Sequence, residues 1–193
     1  MTTITSVSPF GPSTAGAVGP YSPPAGPPGV SADGFRRAFR GHPAGVVVIT
    51  ADAGRGPVGF TATSLTSLSL DPPLVSFGIG TSTSSWPHLK VAETAVVNFL
   101  GAGQEALARR FATSGADRFA EPTRWHRLPH GEPALDDVSA ALRVRIESLV
   151  AAGDHRIVVA RVEDAWSDGR GGSLVYHDGA YHPLTASAPR DHR

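Results

Sequence analysis

The chain has 193 residues, of which 40% are hydrophobic and 18% charged, a composition that suits one globular domain with a substantial core. Its 17 Lys and Arg residues balance 17 Asp and Glu residues, so no net field favours nucleic acid or an anionic membrane surface. The absence of cysteine excludes disulfides, thiolate metal sites and a thiol nucleophile. With no long apolar run and no signal-peptide pattern in residues 1–30, we expect a cytoplasmic protein.

The first part of the chain differs in composition from the rest. Residues 1–30 contain two Pro-Pro pairs, several Gly, Ser and Thr residues, and no charged side chain. Such a segment buries too little apolar area to offset its ordering entropy, so we predict a disordered leader, with a proline arm that docks on a partner as the alternative. Residues 31–185 are expected to form one domain and residues 186–193 a flexible tail.

A first short helix is predicted after a cap at Ser31 or Asp33. Phe35 and Phe39 lie at helical spacing, and the helix is expected to end at Gly41. Two further helices are predicted over 84–91 and over 104–112, the latter with Ala106, Leu107 and Phe111 on one face.

Most of the remaining chain is typical of β-strands. Runs rich in Val, Ile, Thr and aromatic residues are bounded by Gly, Pro and Asp, and they cover 45–50, 58–69, 74–79, 95–100, 142–150, 156–166, 173–176 and 180–184. Many strands with few helices, and no regular alternation of the two, predict a mainly β fold. We expect an antiparallel barrel rather than a doubly wound sheet.

The segment 54–59, G-R-G-P-V-G, fits the dinucleotide-binding pattern G-x-G-x-x-G. In that fold the pattern opens a helix whose amides face the pyrophosphate. Here a β-branched run follows at 60–63, with poor helix prospects. We therefore predict a glycine-rich hairpin turn and not a nucleotide loop.

A hydroxyl-rich stretch occupies residues 59–73, G-F-T-A-T-S-L-T-S-L-S-L-D-P-P. Strand alternation would bury Leu65 and turn hydroxyls and backbone amides to one edge. Small side chains allow a flat ring to approach the backbone, and hydroxyls hold a phosphate or ring carbonyl without placing charge beside the ring. A Ser/Thr-rich strand on a solvated sheet face is the alternative.

A second polar cluster, T-S-T-S-S at 81–85, precedes a predicted helix. Free amides and the helix dipole favour a phosphate there, although an ordinary N-cap needs only one of these residues.

A third feature is the segment A-A-G-D-H at 151–155, between two strand runs, with His155 expected to begin the second strand. A lone histidine can be catalytic or structural. The other histidines show no paired metal-ligand spacing on a helix, so no metal site is predicted. No G-x-S-x-G pattern supports serine hydrolysis.

Together these blocks resemble the flavin reductase-like family, whose fold is the FMN-binding split barrel, a Greek-key arrangement. The family includes the reductase components of two-component flavin monooxygenases. The resemblance runs from about residue 33 to residue 184, in the order F-R-R-A-F-R-G-H-P-A-G-V-V-V-I-T, G-F-T-A-T-S-L-T-S-L-S-L-D-P-P-L-V, A-V-V-N-F-L, Q-E-A-L-A-R-R-F-A, D-R-F, G-D-H-R-I-V-V-A-R-V and L-V-Y-H-D-G-A-Y-H-P-L.

The resemblance implies a set of flavin-binding residues. Those expected to line the isoalloxazine ring and ribityl chain are Thr61, Ala62, Thr63 and Ser64. Ser67 is expected to contact the ribityl chain or the phosphate, and Ser82 and Thr83 to bind the flavin phosphate.

The resemblance also implies contacts further from the ring. Arg118 and Phe119 are expected to close over the distal part of the flavin, where the adenine of FAD would lie. His155, in the Gly-Asp-His turn, is expected to be the catalytic residue that meets the nicotinamide nucleotide.

The implied function is an NAD(P)H-dependent flavin reductase that passes hydride to FMN or FAD and supplies reduced flavin to a partner monooxygenase. A homodimer is expected, because a small barrel with a cofactor near its strand edges needs a second copy to complete the site. Two alternatives stay open: an electron carrier that retains its flavin, and a reductase of another acceptor such as a corrinoid or ferric chelate. FMN against FAD, and NADH against NADPH, are not decided by the sequence.

Overall fold

The computed structural model describes residues 29–167 and 172–185. Apart from residues 29 and 30, the predicted leader and the whole predicted tail lie outside the described residues. Within the described part, no helix is both long enough and apolar enough to cross a membrane.

Three helices are present in the described residues: α1 (Ala32–Arg40), α2 (Trp86–Leu89) and α3 (Glu105–Ala112). The predicted first helix is confirmed, with the Ser31 hydroxyl accepting a hydrogen bond from the Gly34 N–H at 3.1 Å. The helix predicted over 84–91 is only one turn long, so a helix dipole contributes little at the 81–85 cluster. Of the residues predicted to share one face of the third helix, Phe111 is buried and Leu107 packs against the core, whereas Ala106 is exposed and Ala108 is buried in its place.

The strands are β1 (Ala44–Gly45), β2 (Val47–Ala51), β3 (Val58–Ala62), β4 (Thr66–Leu70), β5 (Pro73–Gly80), β6 (Thr94–Phe99), β7 (Trp125–Arg127), β8 (Pro133–Leu135), β9 (Ala140–Ala152), β10 (His155–Ser167), β11 (Ser173–His177) and β12 (Ala180–Leu184). Seven of them form one sheet in the order β3-β2-β6-β9-β10-β5-β4, and every pairing is antiparallel. The mainly β prediction is confirmed.

The sheet is curled, because its two edge strands follow each other in the chain. Only residues 63–65 join β3 to β4, a link that spans at most about 14 Å. The Phe60 ring of β3 accordingly lies 6.4 Å from the Phe77 ring of β5, next to the opposite edge. This open, curled sheet is the predicted split barrel. The single strand predicted over 58–69 is wrong, since the chain leaves one edge at 63 and joins the other at 66.

Strand β2 is buried on both faces, which explains its continuous apolar run. Val47, Ile49 and Ala51 point into the barrel with Phe77. Val48 points to the other face of the strand. It joins a second apolar cluster there, beneath α3 and β8.

The glycine-rich segment at 54–59 forms the β2–β3 hairpin turn, as predicted. Gly54 and Gly56 have φ values of 78° and 98°, and the Asp52 carboxylate accepts the N–H groups of Gly54, Arg55 and Gly56. These amides are satisfied within the turn and do not face a ligand.

The short β7–β8 hairpin was not predicted, and buried polar groups hold it to the sheet. The Thr50 hydroxyl donates to the Pro133 carbonyl at 2.5 Å, and the Asn98 side-chain oxygen accepts the Leu135 N–H at 3.0 Å. The Asn98 amide nitrogen donates in turn to the Val48 carbonyl at 3.0 Å. Each group is buried, so its partner is needed to offset its desolvation.

Candidate functional site

The end of β5 presents bare backbone on the outer face of the sheet. Val75, Phe77 and Ile79 are buried, so the alternate residues Gly78 and Gly80 face outward. With no side chain at either position, a planar molecule can approach this backbone closely.

Three of the predicted site residues surround this glycine surface. A Cβ on Gly78 would lie 3.4 Å from the Ser64 Oγ and 4.0 Å from the His155 Cδ2. A Cβ on Gly80 would lie 3.4 Å from the Thr83 Cγ2 and 3.6 Å from the His155 Nε2. Ser64 is fixed there because its hydroxyl accepts the Gly78 N–H at 2.9 Å. The fold thus brings together residues from the 63–65 link, the 81–85 cluster and the start of β10.

The 81–85 cluster is tied to the turn that carries His155. The backbone N–H and the hydroxyl of Thr81 both donate to the Asp154 carbonyl, each at 3.0 Å. The Thr83 hydroxyl donates to the Gly80 carbonyl at 2.9 Å and keeps its lone pairs available, while Ser82 is exposed. The two segments therefore hold a common geometry.

His155 begins β10, as predicted, and lies directly opposite Gly80 in the antiparallel ladder. Its Nδ1 lies 2.7 Å from the Asp154 carboxylate. The hydrogen bond and charge of His155 lower the pKa of Asp154, which is therefore ionised at neutral pH.

Arg118 adds a fixed cation beside the same cluster. Its guanidinium donates to the Ser84 hydroxyl at 3.2 Å and to the Thr113 carbonyl at 2.9 Å. Burial lowers the pKa of Arg118, and its Nε is buried without a hydrogen-bond partner. A guanidinium keeps its charge in proteins, so an oriented positive charge stands next to exposed hydroxyls.

The other predicted residues lie further from the glycine surface. The Thr61 hydroxyl donates to the Ala108 carbonyl at 2.6 Å, and Ala62 is buried in the barrel core. Ser67 pairs with inward-facing Val75, so it belongs to the sheet face opposite Gly78.

Phe119 lies in an aromatic cluster and not over the glycine surface. Its ring is 5.3 Å from that of Phe111 and 5.1 Å from that of Trp125, both in edge contact. The Trp125 indole N–H donates to the Phe119 carbonyl at 3.1 Å. This packing fixes the chain next to Arg118.

Sequence reasoning missed Gly78 and Gly80 as site residues. The signal was present, because two glycines two positions apart in a strand leave one face of that strand bare. The contact between Arg118 and Ser84 carries no local signal, because it joins residues 34 positions apart.

The comparison with known proteins supports one family. Residues 39–185 match the model of the flavin reductase-like domain. The NADH:FMN oxidoreductase of Rhodococcus qingshengii is 45% identical over 161 residues, which cover 81% of this chain and 84% of the relative.

Two solved structures are also similar to this chain. The NADH:FAD oxidoreductase SgcE6 of Streptomyces globisporus, in complex with NAD and FAD fragments, has a TM-score of 0.75 and 33% identity and covers 82% of this chain and 94% of that chain. BorF, the flavin reductase component of a bacterial two-component tryptophan halogenase, has a TM-score of 0.75 and 30% identity and covers 81% of this chain and 100% of that chain. By its matched domain, its relatives and its fold, the chain belongs to the flavin reductase-like domain family.

Proposed function

We propose that this protein is an NAD(P)H-dependent flavin reductase that acts on FMN or FAD and supplies reduced flavin to a partner monooxygenase. The observation that carries the proposal is the convergence of Ser64, Thr83 and His155 on the bare backbone of Gly78 and Gly80. A bound flavin would supply the hydride acceptor, and the nicotinamide of NADH or NADPH the hydride. The chain has only to position the two and exclude water.

The residues present fit a flavin at both ends of the molecule. Ser82, Thr83 and Ser84 offer hydroxyls beside the Arg118 guanidinium, whose buried Nε has no partner, and this combination suits a phosphate. Ser64 and the two glycines offer a small, uncharged surface for the ring. No carboxylate faces this surface from the 61–67 segment, so that segment seats the flavin without acid–base chemistry.

We assign His155 to the nicotinamide nucleotide. Since the Asp154 carboxylate only accepts hydrogen bonds, Nδ1 of His155 carries the proton, and Nε2 faces the side where Gly80 is bare. Nε2 is then free to hydrogen-bond the nucleotide next to the flavin.

The remaining predicted residues are proposed to act by shape. The hydrogen bond of Thr61 to α3 and the burial of Ala62 in the core anchor the strand. This strand leads to Thr63 and Ser64. Ser67 lies on the sheet face opposite Gly78, so no contact with a flavin bound over the glycines is assigned to it. Phe119 is proposed to close the distal part by holding the segment of Arg118 in place.

We further propose a homodimer in the cytoplasm, where NADH is available. Support comes from the outer sheet face, where Ile157 and Val150 are directly opposed, and both are more than two-fifths exposed. Leu70, on the unprotected edge strand β4, is almost fully exposed. Adjacent exposed apolar side chains mark interaction surfaces, and an unpaired edge strand can pair with another chain.

Steady-state oxidation of NADH with and without added FMN or FAD tests the proposed activity. A flavin reductase oxidises NADH faster as free flavin is added, up to saturation. A flavin-retaining electron carrier gives no such stimulation, and a reductase of ferric chelates or corrinoids responds to those acceptors instead. A rate that free flavin does not change would overturn the proposal.

A double substitution tests the phosphate end. Ser82→Asp with Thr83→Asp places two carboxylates where the phosphate is proposed to bind, so the affinity for FMN should fall by charge repulsion. Unchanged affinity would remove the 81–85 cluster from the site.

A further inference from the structure

A cavity of about 630 Å³ adjoins the 63–65 link. Its near wall is formed by Thr63, Ser64, Leu65 and Thr66, and its far wall by Phe39 of α1 and Tyr176 of β11. The volume is in the range of small-molecule sites. Sequence analysis assigned no role to either aromatic residue of the far wall.

The proposed flavin site sets a direction along the surface. Arg118 and Ser84 lie at one end, followed by Thr83 beside Gly80. The next step, about 6.6 Å along the strand, is Gly78 beside Ser64. Ser64 also lines the cavity, so a molecule with its phosphate at the polar cluster and its length along the glycines enters the cavity with its other end.

The far wall is aromatic and uncovered by the described chain. Phe39 is 56% exposed and Tyr176 is 37% exposed, although both are large and largely apolar. The Phe39 ring packs on that of Phe35 at 4.6 Å, and the Tyr176 ring on that of Tyr181 at 5.1 Å. A flat, conjugated ring is the kind of ligand that such aromatic faces bind well.

The two elements that carry this wall are fixed to each other. The Arg40 guanidinium donates to the Asp178 carboxylate at 2.6 Å, and the Asp178 N–H donates to the Arg40 carbonyl at 2.9 Å. The helix end next to Phe39 and the hairpin turn next to Tyr176 therefore have a set spacing. The wall is preformed and not assembled by the ligand.

We propose that Phe39 and Tyr176 form the ring-binding wall of the site and contact the isoalloxazine end of the bound flavin. The inference rests on the proposed function and adds two binding residues, from the N-terminal helix and the C-terminal hairpin, to the sites expected from sequence. These residues hold the ring, while the polar cluster with Arg118 holds the phosphate.

Phe35 provides a matched control on the same helix. It is 53% exposed, close to the value of Phe39, and it lines, together with Phe39 and Tyr176, a neighbouring cavity of about 690 Å³ between α1 and the β11–β12 turn. It is absent from the lining of the cavity beside Ser64. Phe35→Ala therefore removes an equally exposed aromatic side chain that contacts the Phe39 ring but does not line the cavity beside Ser64.

The test titrates the flavin-free, full-length protein with FMN and with riboflavin, and follows flavin fluorescence. Phe39→Ala and Tyr176→Ala should each weaken the binding of both ligands by about 10-fold, because both ligands carry the ring. Phe35→Ala should stay within about 2-fold of the wild type. Ser82→Asp with Thr83→Asp should weaken FMN far more than riboflavin, because riboflavin lacks the phosphate.

A conservative variant adds a readout that a folding defect would not mimic. Tyr176→Phe keeps the aromatic face, so the affinity should be retained. The phenol is the better electron donor to an excited flavin, so the fluorescence of the bound flavin should rise in this variant.

Three outcomes would overturn the proposal that Phe39 and Tyr176 bind the flavin ring. One is equal affinity for Phe39→Ala and the wild type, and another is an equal loss for Phe35→Ala and Phe39→Ala. The third is dissociation of a dimer by both substitutions, measured by sedimentation, which would make this face a subunit interface. If the wild type itself binds no flavin and free flavin does not stimulate it, the proposed function fails, and not the wall alone.

Discussion

The Asp154 carboxylate lies 2.7 Å from Nδ1 of His155, the next residue in the chain, at the tip of the β9–β10 hairpin. The carboxylate fixes Nδ1 as the ring nitrogen that carries the proton, so Nε2, on the Gly80 side, is the nitrogen proposed to meet the nucleotide. Thr81 donates two hydrogen bonds to the backbone carbonyl of the same Asp154. The 81–85 cluster and His155 therefore cannot shift independently. One exposed turn thereby links the proposed phosphate and nicotinamide contacts.

We expect His155→Ala to raise the KM for NADH by about 10-fold, the loss of one hydrogen bond, while the KM for flavin stays within about 2-fold. Asp154→Asn should raise the KM for NADH by a smaller factor, since it weakens the orientation of the ring but keeps the ring. Steady-state kinetics with each substrate varied separately measures both effects.

The chain offers a matched control for this prediction. His126 is paired with Asp136 at 2.6 Å and is 55% exposed, the same exposed fraction as His155, but it lies on β7, away from the glycine surface. His126→Ala should change neither KM. Equal rises in both KM values for His155→Ala would show that this histidine is merely structural.

Arg118 is expected to discriminate between flavins with and without a phosphate. Arg118→Ala removes a charge-assisted contact of about 1.5–3 kcal/mol, so FMN affinity should fall by about 10- to 100-fold while riboflavin affinity hardly changes. Arg118→Lys keeps the charge but not the planar guanidinium, so its affinity for FMN should lie between those of the wild type and Arg118→Ala. Titration at two salt concentrations measures the charge contribution, which salt should weaken.

Arg110 is the control for loss of structure in the same segment. It donates to the carbonyls of Ala120 and Glu121, at 2.8 and 3.1 Å, and so holds the chain after Arg118. Arg110→Ala should lower stability without changing the ratio of FMN to riboflavin affinity. A similar change of that ratio in both variants would contradict a direct role for Arg118.

Much of the architecture could be predicted because local sequence patterns determine it. The long strand runs, the glycine-rich turn and the strand start at His155 each depend on neighbouring residues in the chain. The break at 63–65 could not be predicted, since the hydroxyl-rich pattern continues unchanged through it. Only the curl of the sheet requires the chain to cross from one edge to the other there.

The site was predictable to the extent that its residues lie in distinctive blocks. Ser64, Thr83 and His155 converge as the resemblance implied, whereas Phe119 packs in an aromatic cluster that a D-R-F pattern does not reveal. The Phe39 wall depends on how α1 sits against β11, a tertiary relationship with no counterpart in sequence spacing.

Glu132 should make the stability of the fold depend on acid pH. It is 2% exposed and accepts from Arg143 at 2.8 Å. Burial alone raises the pKa of Glu132, but polar contacts from Thr94 and Arg143 outweigh burial, and the pKa lies below its ordinary value of 4.5. Its contribution is therefore complete above that value and is lost as the pH falls through the lower folded-state pKa.

Glu132→Gln should cost about 2–4 kcal/mol of unfolding free energy near pH 7, because it leaves Arg143 less well paired in the interior. The deficit relative to the wild type should shrink as the pH is lowered toward 3. Urea denaturation at several pH values measures it. Glu105→Gln, in an exposed pair with Arg109, should cost less than about 1 kcal/mol at any pH. A pH-independent deficit for Glu132→Gln would rule out the ionised pair as its cause.

Gly59 should not tolerate even one methyl group. A Cβ there would lie 2.7 Å from the Phe111 ring and 2.9 Å from the Ile49 carbonyl oxygen, which belongs to a strand paired on both sides. Gly59→Ala should therefore destabilise the protein by about 1–3 kcal/mol in urea denaturation. Gly103→Ala, with no atom within 4 Å of the new Cβ, should change stability by less than about 1 kcal/mol. Phe111→Leu relieves the contact with the ring but not the contact with the backbone. If Gly59→Ala destabilises the Phe111→Leu variant as much as it destabilises the wild type, the clash with the Ile49 carbonyl alone accounts for the loss of stability. Wild-type stability for Gly59→Ala would instead show that α3 can move away from β3.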